Sequence, residues 1–407
     1  MKILHTSDWH LGKRLEHFNR LEEQQQVLEE ICSIADIENV DAVVVAGDLF
    51  DTYNPPTEAV DLFYKTLKKL ASDGHRPVIA IAGNHDSPDR IESPDPLARE
   101  CGIVFLGYPN SVVPNFTLDT GLKVKTSEPG FVEIQFPGNK APLRLIHTSY
   151  ANEFRLKKYL GHEDEEQQLR EILSNSWRML AEKHCDDKGV NILLSHLFFV
   201  KEGTEKLEEP EDEKPILHVG GAQAIYSSNV PAQVQYAALG HLHRKQEVDK
   251  KPCPVMYAGS PVSYSFAEAN QQKYVLLVEV EPGQEATIKE TELLSGKKLL
   301  RYKADSVDDA AKWLSENPNF LVELTIISDT YLTANDRKML HKMHEGIVTI
   351  IPEIKNKELL TNNCSTIDLS KNIDELFKDY FFKAKGQEPN ERIMQLFNEI
   401  KSGEGQA

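Results

Sequence analysis

The sequence has little cysteine, and what it has is poorly placed to hold anything together. Cys32, Cys101, Cys185, Cys253 and Cys364 are scattered over 407 residues, odd in number and without a C-x-x-C pair. That excludes the spacing of a disulfide framework or a zinc ribbon and favours a reducing interior. No apolar run approaches the roughly 20 residues that span a bilayer. The chain begins MKILHTSDWH, where a core strand from residue 2 leaves no room for a secretory leader, so a soluble, cytoplasmic protein is expected. Positive charge is also scarce: 46 Lys and Arg stand against 64 Asp and Glu, for a net charge of -18. Such a chain does not coat nucleic acid or membrane by bulk electrostatics, although a local site in which bound metal ions supply the positive charge stays open. There is no internal repeat and no glycine-rich phosphate loop.

What is present is a core. Hydrophobic residues make up 40% of the chain, and the length allows two or three domains. From residue 2 to about 106, apolar runs alternate with helical patterns: KILHTSD, RLEEQQQVLEEICSIAD, DAVVVAGD, TEAVDLFYKTLKKLASD, HRPVIAIAGNHD, DPLARECG and IVFLG. This βαβ rhythm implies a sheet with helices packed on its faces. Short β-like runs broken by Pro and Gly between 111 and 150 imply a hairpin-rich edge. A polar helix at about 162–184 precedes the strand-like VNILLSH, QYAALGHLH, PVMYAGSPVSYSF and KYVLLVEVEP. Residues 1–282 therefore read as one layered α/β domain. A smaller α+β domain is expected at 283–354 and a polar linker at 355–371. In the remaining segment, 372–407, Ile373, Leu376, Phe377, Tyr380 and Phe381, then Ile393, Leu396, Phe397 and Ile400, mark two amphipathic helices. Each must bury its apolar face, on its own domain or on a partner. The acidic segment Glu202–Lys214 has no apolar period and reads as a solvated loop.

Five motifs close predicted strands in turn: SDWHLG with Asp8 and His10, AGDLFD with Asp48, AGNHDS with Asn84 and His85, LSHLF with His196, and GHLH with His241 and His243. Singly, each has an ordinary explanation, an N-cap aspartate or a turn asparagine. Together they place Asp, His and Asn repeatedly where an α/β sheet gathers its ligands. Carboxylate, imidazole and amide oxygen without thiolate suit manganese, iron or zinc in a mixed N/O site. Seven such groups exceed the needs of one ion. Two ions sharing a bridging carboxylate, about 3.5–4 Å apart, use them well and are the usual device for hydrolysing a phosphate ester.

The ordered set D-x-H, G-D, G-N-H-D, H and G-H-x-H resembles the calcineurin-like metallophosphoesterase superfamily. The resemblance implies that Asp8, His10, Asp48 and His243 hold one ion and that Asp48, Asn84, His196 and His241 hold the other. His85 matches the histidine that binds no metal but orients the scissile phosphate and assists the leaving oxygen. Within the superfamily, MKILHTSDWHLGKRL, VDAVVVAGDLFDTYNPP, AGNHDSPDR, ALGHLHRKQ and YAGSPVSYSFAEANQQKYVLLVEV are similar to the SbcD family of DNA break-repair nucleases. That similarity is close over residues 1 to about 280 and rests on layout beyond. It implies a layered β-sandwich flanked by helices, a small α+β capping domain, and C-terminal helices that bind an SbcC-like coiled-coil ATPase. It further implies a manganese-dependent nuclease, a 3′ to 5′ exonuclease on double-stranded DNA ends and an endonuclease on hairpins. A homodimer is also implied, for which AVDLFYKTLKKL and DPLARECG are the candidate helices.

Basic residues flank the motifs on three loops: Lys13 and Arg14, Arg90, and Arg244 and Lys245. They are candidate DNA phosphate contacts, although surface loops carry Lys and Arg in any case. Two other readings compete. A phosphatase acting on small phosphoesters would share every ligand but does not call for a cap and terminal helices. A non-catalytic scaffold for a coiled-coil ATPase would not need both His85 and Asp48.

Overall fold

The computed structural model describes residues 1–138, 140–156, 165–203, 224–328, 332–354 and 372–385, with single positions at 389, 393, 394, 397 and 401. From residue 204 onward the acidic segment lies outside the described residues. So do the whole 355–371 linker and most of the second C-terminal helix.

Two sheets face each other. The first has six strands in the order Thr287–Leu293, Lys273–Glu279, Lys2–Thr6, Ala42–Ala46, Val78–Ile81 and Ile103–Leu106. Its last four run parallel, joined by helical crossovers, while Lys273–Glu279 and Thr287–Leu293 are antiparallel additions at one edge. The second sheet has eight strands. Val255–Tyr257, Tyr236–Gly240, Val190–His196 and Leu143–Thr148 form its parallel centre. Phe131–Gln135, Lys123–Glu128 and Phe116–Thr117 make the antiparallel meander expected at its edge.

The apolar strands read as continuous runs because both of their faces are covered. Along AVVVA, Val44 points into the core between the sheets with Ile3, Ile79, Leu145, Ile192 and Ala238. Its neighbours Val43 and Val45 point the other way, onto Val27 and Ile31 of helix Leu21–Ile37 and Phe63 and Leu67 of helix Thr57–Ala71. On the far side, Leu169, Leu173, Trp177 and Ala181 of helix Glu165–His184 cover Ile146, Leu193, Ala237 and Leu239. The layers therefore run helix, sheet, sheet, helix, the sandwich that the sequence implied. Each fully buried Val, Leu or Ile contributes about 1.5–3 kcal/mol.

The first compact unit takes in residues 1–300 and 319–321, and the second takes in 301–318 and 322 onward. This corrects the expected boundary at 283. TIKETEL has the length and alternation of a strand in either domain. The seven-residue connection Val280–Ala286 folds it back on Lys273–Glu279 in the register Glu279 to Thr287, so it completes the first sheet. The second unit is built on a three-stranded sheet, Leu299–Ala304, Leu321–Ser328 and Ile347–Ile354, with helices Val307–Glu316 and Ala334–Met343. Ser306 accepts from the Asp309 amide at 3.1 Å, and Thr333 with Asp336 forms a capping box, so each helix starts on a satisfied N-terminus. Ala310, Leu314, Leu324, Ile326 and Leu340 are among its buried apolar residues. Helix Ile373–Lys385 is present where the periodicity placed it, and the Phe377 ring stacks on Phe397 at 3.9 Å. Among the described residues no helix is long and apolar enough to cross a membrane.

One polar clasp ties the sheets together. His5 of the first sheet meets the Tyr236 hydroxyl at 2.9 Å through Nδ1 and the Leu239 carbonyl at 3.1 Å through Nε2, both on the second sheet. Burial lowers His5 from its ordinary 6.5 to about 3, so the folded chain holds it neutral. The unfolded chain binds a proton there below about pH 6.5, which makes stability fall as pH drops from about 6.5 toward 3. Urea unfolding of the metal-free chain across pH 4–7 should show this dependence, and a His5→Gln variant should lose up to about 1.4 kcal/mol per pH unit of its slope, one proton's worth. Equal slopes would remove His5 from the account.

Candidate metal centre

Both sheets send the C-terminal ends of their parallel strands to one edge, and all five motifs lie there. Asp8 and His10 follow Lys2–Thr6, Asp48 follows Ala42–Ala46, and Asn84 and His85 follow Val78–Ile81. From the second sheet, His196 ends Val190–His196, and His241 and His243 follow Tyr236–Gly240. The sheets come very close at this edge. A Cβ on Gly240 would stand 1.7 Å from the Ala46 carbonyl oxygen, so only glycine fits. That same carbonyl accepts from His196 Nδ1 at 2.8 Å.

The backbone around the ligands is held in a sparsely populated region. Asp8, His10, Asp48 and His241 all have positive φ, at 53°, 42°, 48° and 115°. Non-glycine residues adopt it rarely and at a cost. Here it occurs at four of the seven residues whose side chains converge on the cleft.

The seven sequence-predicted ligands are brought together. His10 Nε2 and His243 Nε2 are 3.0 Å apart, and His10 Nε2 lies 3.4 Å from Asp48 Oδ2. His196 Nε2 lies at the same 3.4 Å from that oxygen. It is also 2.9 Å from Asn84 Oδ1, which His241 Nδ1 approaches at 3.1 Å. Asp8 Oδ1 accepts from the His241 amide at 2.9 Å, and Oδ2 accepts from Ser7 Oγ at 2.5 Å. Asp48 thus stands between two donor groups. Six of the seven are almost wholly buried and Asn84 is half-buried. His85 makes different contacts: its amide donates to Asp48 Oδ1 at 2.9 Å, and its Nδ1 meets the Asp51 carbonyl at 2.8 Å. Its ring lies 4.8 Å from that of His10, and with His10 and Asp51 it forms a further group of converging donors.

This donor set fits divalent ions. A carbonyl oxygen only accepts, so His196 Nδ1 carries the proton toward Ala46. In the neutral ring Nε2 is then a bare lone pair facing the oxygens of Asn84 and Asp48. Converging lone pairs need a proton or a cation. In the metal-free chain the proton serves: burial would lower His196, but the Asp48 and Asp8 carboxylates outweigh it and push it up to about 9. Burial lowers His10 to about 3, leaving its ring neutral and able to bind metal. Burial would raise Asp48, yet the surrounding His196, His85 and His10 hold it well below the carboxylate range. Asp8 is raised, chiefly by burial.

Behind the ligands stand residues that the motif reading did not assign. Asp51, within AGDLFD, lies 3.6 Å from His10 Nδ1 and pairs with Lys13 at 3.1 Å. Glu268 lies 3.6 Å from His243 Nδ1 and pairs with Lys273. At 3.6 Å neither contact is a hydrogen bond, but each carboxylate stands behind its histidine, the place from which it would orient a ring that held a metal. Asp86, the last residue of GNHD, accepts from the amides of Gly83, Leu49 and Phe50 at 2.8, 3.0 and 2.9 Å. It ties two ligand loops together, and burial with the nearby Asp48 charge raises it to about 6. The motif spellings contained Asp51 and Asp86. Glu268 lay within the stretch YAGSPVSYSFAEANQQKYVLLVEV, but nothing in its spelling pointed to His243.

Of the flanking basic residues, Arg14, Arg90 and Arg244 are exposed. Lys13 is engaged by Asp51, and Lys245 pairs with Glu290 at 2.5 Å over the Tyr274 ring.

Residues 1–245 match the family described as Calcineurin-like phosphoesterase. The sequence is similar to the SbcD component of the nuclease SbcCD of Bacillus subtilis, 37% identical over 411 residues, covering 99% of this chain and 98% of that protein. It is 30% identical over 351 residues to the SbcD component of the Escherichia coli K12 nuclease, covering 83% and 81%. To that of Staphylococcus epidermidis it is 26% identical over 421 residues, covering both chains in full.

Asp86→Asn should test the tie between the loops. The amide can accept through only one oxygen, leaving at least one buried amide opposed by an NH₂ group, at about 1–3 kcal/mol. We expect a lower thermal midpoint and metal binding weakened about 10- to 100-fold by calorimetric titration. Unchanged metal affinity would show that the loops hold their positions without it.

Proposed function

The chain belongs to the calcineurin-like phosphoesterases and, within them, to the SbcD nuclease family, and from that premise we propose that it is a two-metal DNA phosphodiesterase. The observation that carries the reading is the pair of N/O donor groups sharing Asp48, with His85 held beside them by a different contact. Asp8, His10, Asp48 and His243 would hold one ion, and Asp48, Asn84, His196 and His241 the other. Two divalent ions, in this proposal manganese, would neutralise phosphoryl oxygens and lower the pKa of an attacking water.

The chain's own residues do the rest. His85 in its charged form donates from both ring nitrogens. With Nδ1–H donated in a hydrogen bond to the Asp51 carbonyl, Nε2–H faces the scissile phosphate and would pass its proton to the departing 3′ oxygen, leaving the ring neutral with Nδ1–H intact. Asp51 and Glu268, 3.6 Å behind the rings of His10 and His243, would orient them. Exposed Arg14, Arg90 and Arg244 supply duplex phosphate contacts around the cleft, with Lys13 and Lys245 joining when they leave their carboxylate partners.

The finer reading follows the family. The protein degrades double-stranded DNA ends 3′ to 5′ and opens hairpins in end processing, recombination and repair in the cytoplasm. It acts with an SbcC-like coiled-coil ATPase docked on the C-terminal helices, as a homodimer through Thr57–Ala71 and its neighbours. The second compact unit serves as the capping domain.

The test is incubation of linear duplex DNA with the protein, manganese and the ATPase partner, comparing wild type with His85→Ala. Cleavage should fall about 10²- to 10⁴-fold while bound metal, measured by elemental analysis, stays at the wild-type level. Normal cleavage by the variant would refute the role of His85. A wild-type protein that hydrolyses only small phosphoesters would refute the substrate.

A further inference from the structure

Among the described residues, Arg155 is the one buried arginine whose partners all belong to the ligand-bearing loops or lie at their rim. It sits on the short helix Glu153–Leu156 and is 2% exposed. Its Nη1 donates to the Gly83 carbonyl at 2.7 Å. Its Nη2 donates to the Asp86 carbonyl at 2.8 Å, to Tyr53 Oη at 3.1 Å and, more weakly, to the Asn84 carbonyl at 3.5 Å. The guanidinium also lies over the Tyr150 ring, 5.1 Å from its centre. Every one of these acceptors is neutral, and among the described residues no carboxylate pairs with it. Arg20, equally buried, has Glu23 as a bidentate partner. A buried, unneutralised charge is expensive and persists where something else requires it.

What it does to the loop is specific. The peptide unit between Asn84 and His85 presents its carbonyl to Arg155 and its amide to Asp48 Oδ1, at 2.9 Å. In a planar trans peptide these two groups point in opposite directions, so the unit is held between the arginine and the shared carboxylate. The carbonyls on either side, Gly83 and Asp86, are pulled the same way by the shorter bonds. Asn84 and His85, which leave this one unit toward different destinations, have their directions set together. Only a planar fork of donors reaches carbonyls of residues 83 and 86 and the Tyr53 hydroxyl at once; an ammonium is a point donor and cannot.

We propose that Arg155 is a positioning residue for the Gly83–Asp86 loop, setting Asn84 for metal binding and His85 for phosphate; this rests on the phosphodiesterase reading above. It touches neither substrate nor metal. The charge it brings, unopposed by a carboxylate, also leaves the phosphate-facing side of the loop more positive than the acidic chain around it.

The experiment uses the full-length protein and the variants Arg155→Lys and Arg155→Met, with Tyr53→Phe removing only the outermost acceptor. Manganese(II) alone is titrated by calorimetry, and bis(p-nitrophenyl) phosphate is the diester for kcat and KM. For Arg155→Lys, which keeps the charge and loses the fork, kcat should fall about tenfold or more with KM within about twofold, and the weaker manganese site should lose about 10- to 100-fold in affinity. Arg155→Met should lose more, and Tyr53→Phe should stay close to wild type. A folded Arg155→Lys with wild-type kcat and manganese affinity overturns the proposal. So does a loss that tracks the thermal midpoint alone and recovers on cooling, because a merely structural arginine would behave that way. If wild type itself leaves the diester intact with manganese, the phosphodiesterase reading fails, and the manganese titration alone then decides whether Arg155 places Asn84.

Discussion

One buried negative charge organises the molecule. Asp48 is 2% exposed, sits where two sheets converge, and is solvated by the protein in place of water. One of its oxygens takes the His85 amide, and the other faces His10 from the first sheet and His196 from the second. A carboxylate removed from water to this degree is tolerable only if cations or donors surround it. The strand ends, the positive-φ turns at Asp8, His10, Asp48 and His241 and the close approach at Gly240 all serve to bring such groups to it.

The supporting residues divide the work by sheet. On the first sheet, Asp86 binds the amides of two neighbouring loops, and Arg155 binds the carbonyls of one of them. The loop backbone is thereby satisfied on both its donor and its acceptor sides without any regular secondary structure, as a buried irregular segment must be. On the second sheet, the Ala46 carbonyl fixes the His196 ring across the sheet interface, while Glu268, anchored by Lys273 and Ser260, stands behind His243. Opposite sheets therefore hold each other's ligands. The His5 to Tyr236 clasp lies in the same inter-sheet layer and ties them again, with a neutral ring in place of a charged one.

The parts of this arrangement that could be read from the chain were those with local grammar. AVVVA and VNILLSH announce doubly buried strands, and Asp, His or Asn at the end of each announces the cleft. The amphipathic period from Ile373 likewise gave its helix. What escaped was set by partners far along the chain. TIKETEL alternates as an exposed edge strand does anywhere, and only its pairing with Lys273–Glu279 assigns it to the first sheet. Arg155 lies in an unremarkable stretch, ANEFRLK, and Glu268 in a stretch noted only for its family likeness; both acquire their meaning from loops 69 to 72 and 25 residues away in sequence, in contacts with Gly83, Asp86 and His243. Asp51 and Asp86 were within reach, because each stood inside a motif already noted for a neighbouring residue.

The hydrogen bond from the His241 amide to Asp8 Oδ1 spans 233 positions of sequence. On the ribosome, a chain emerging at about 5–20 residues per second displays SDWH early and GHLH only after nearly the whole second sheet has been made. Until residue 196 is made Asp8 has no imidazole from the other sheet to meet, and His10 has none until His243, while the parallel strands that must pair before the edge closes are of the slow, non-local kind. Assembly of the centre is therefore a late event in the birth of the protein, and a chain interrupted before residue 241 would carry Asp8, His10, Asp48, Asn84 and His196 without the last two histidines of the cleft.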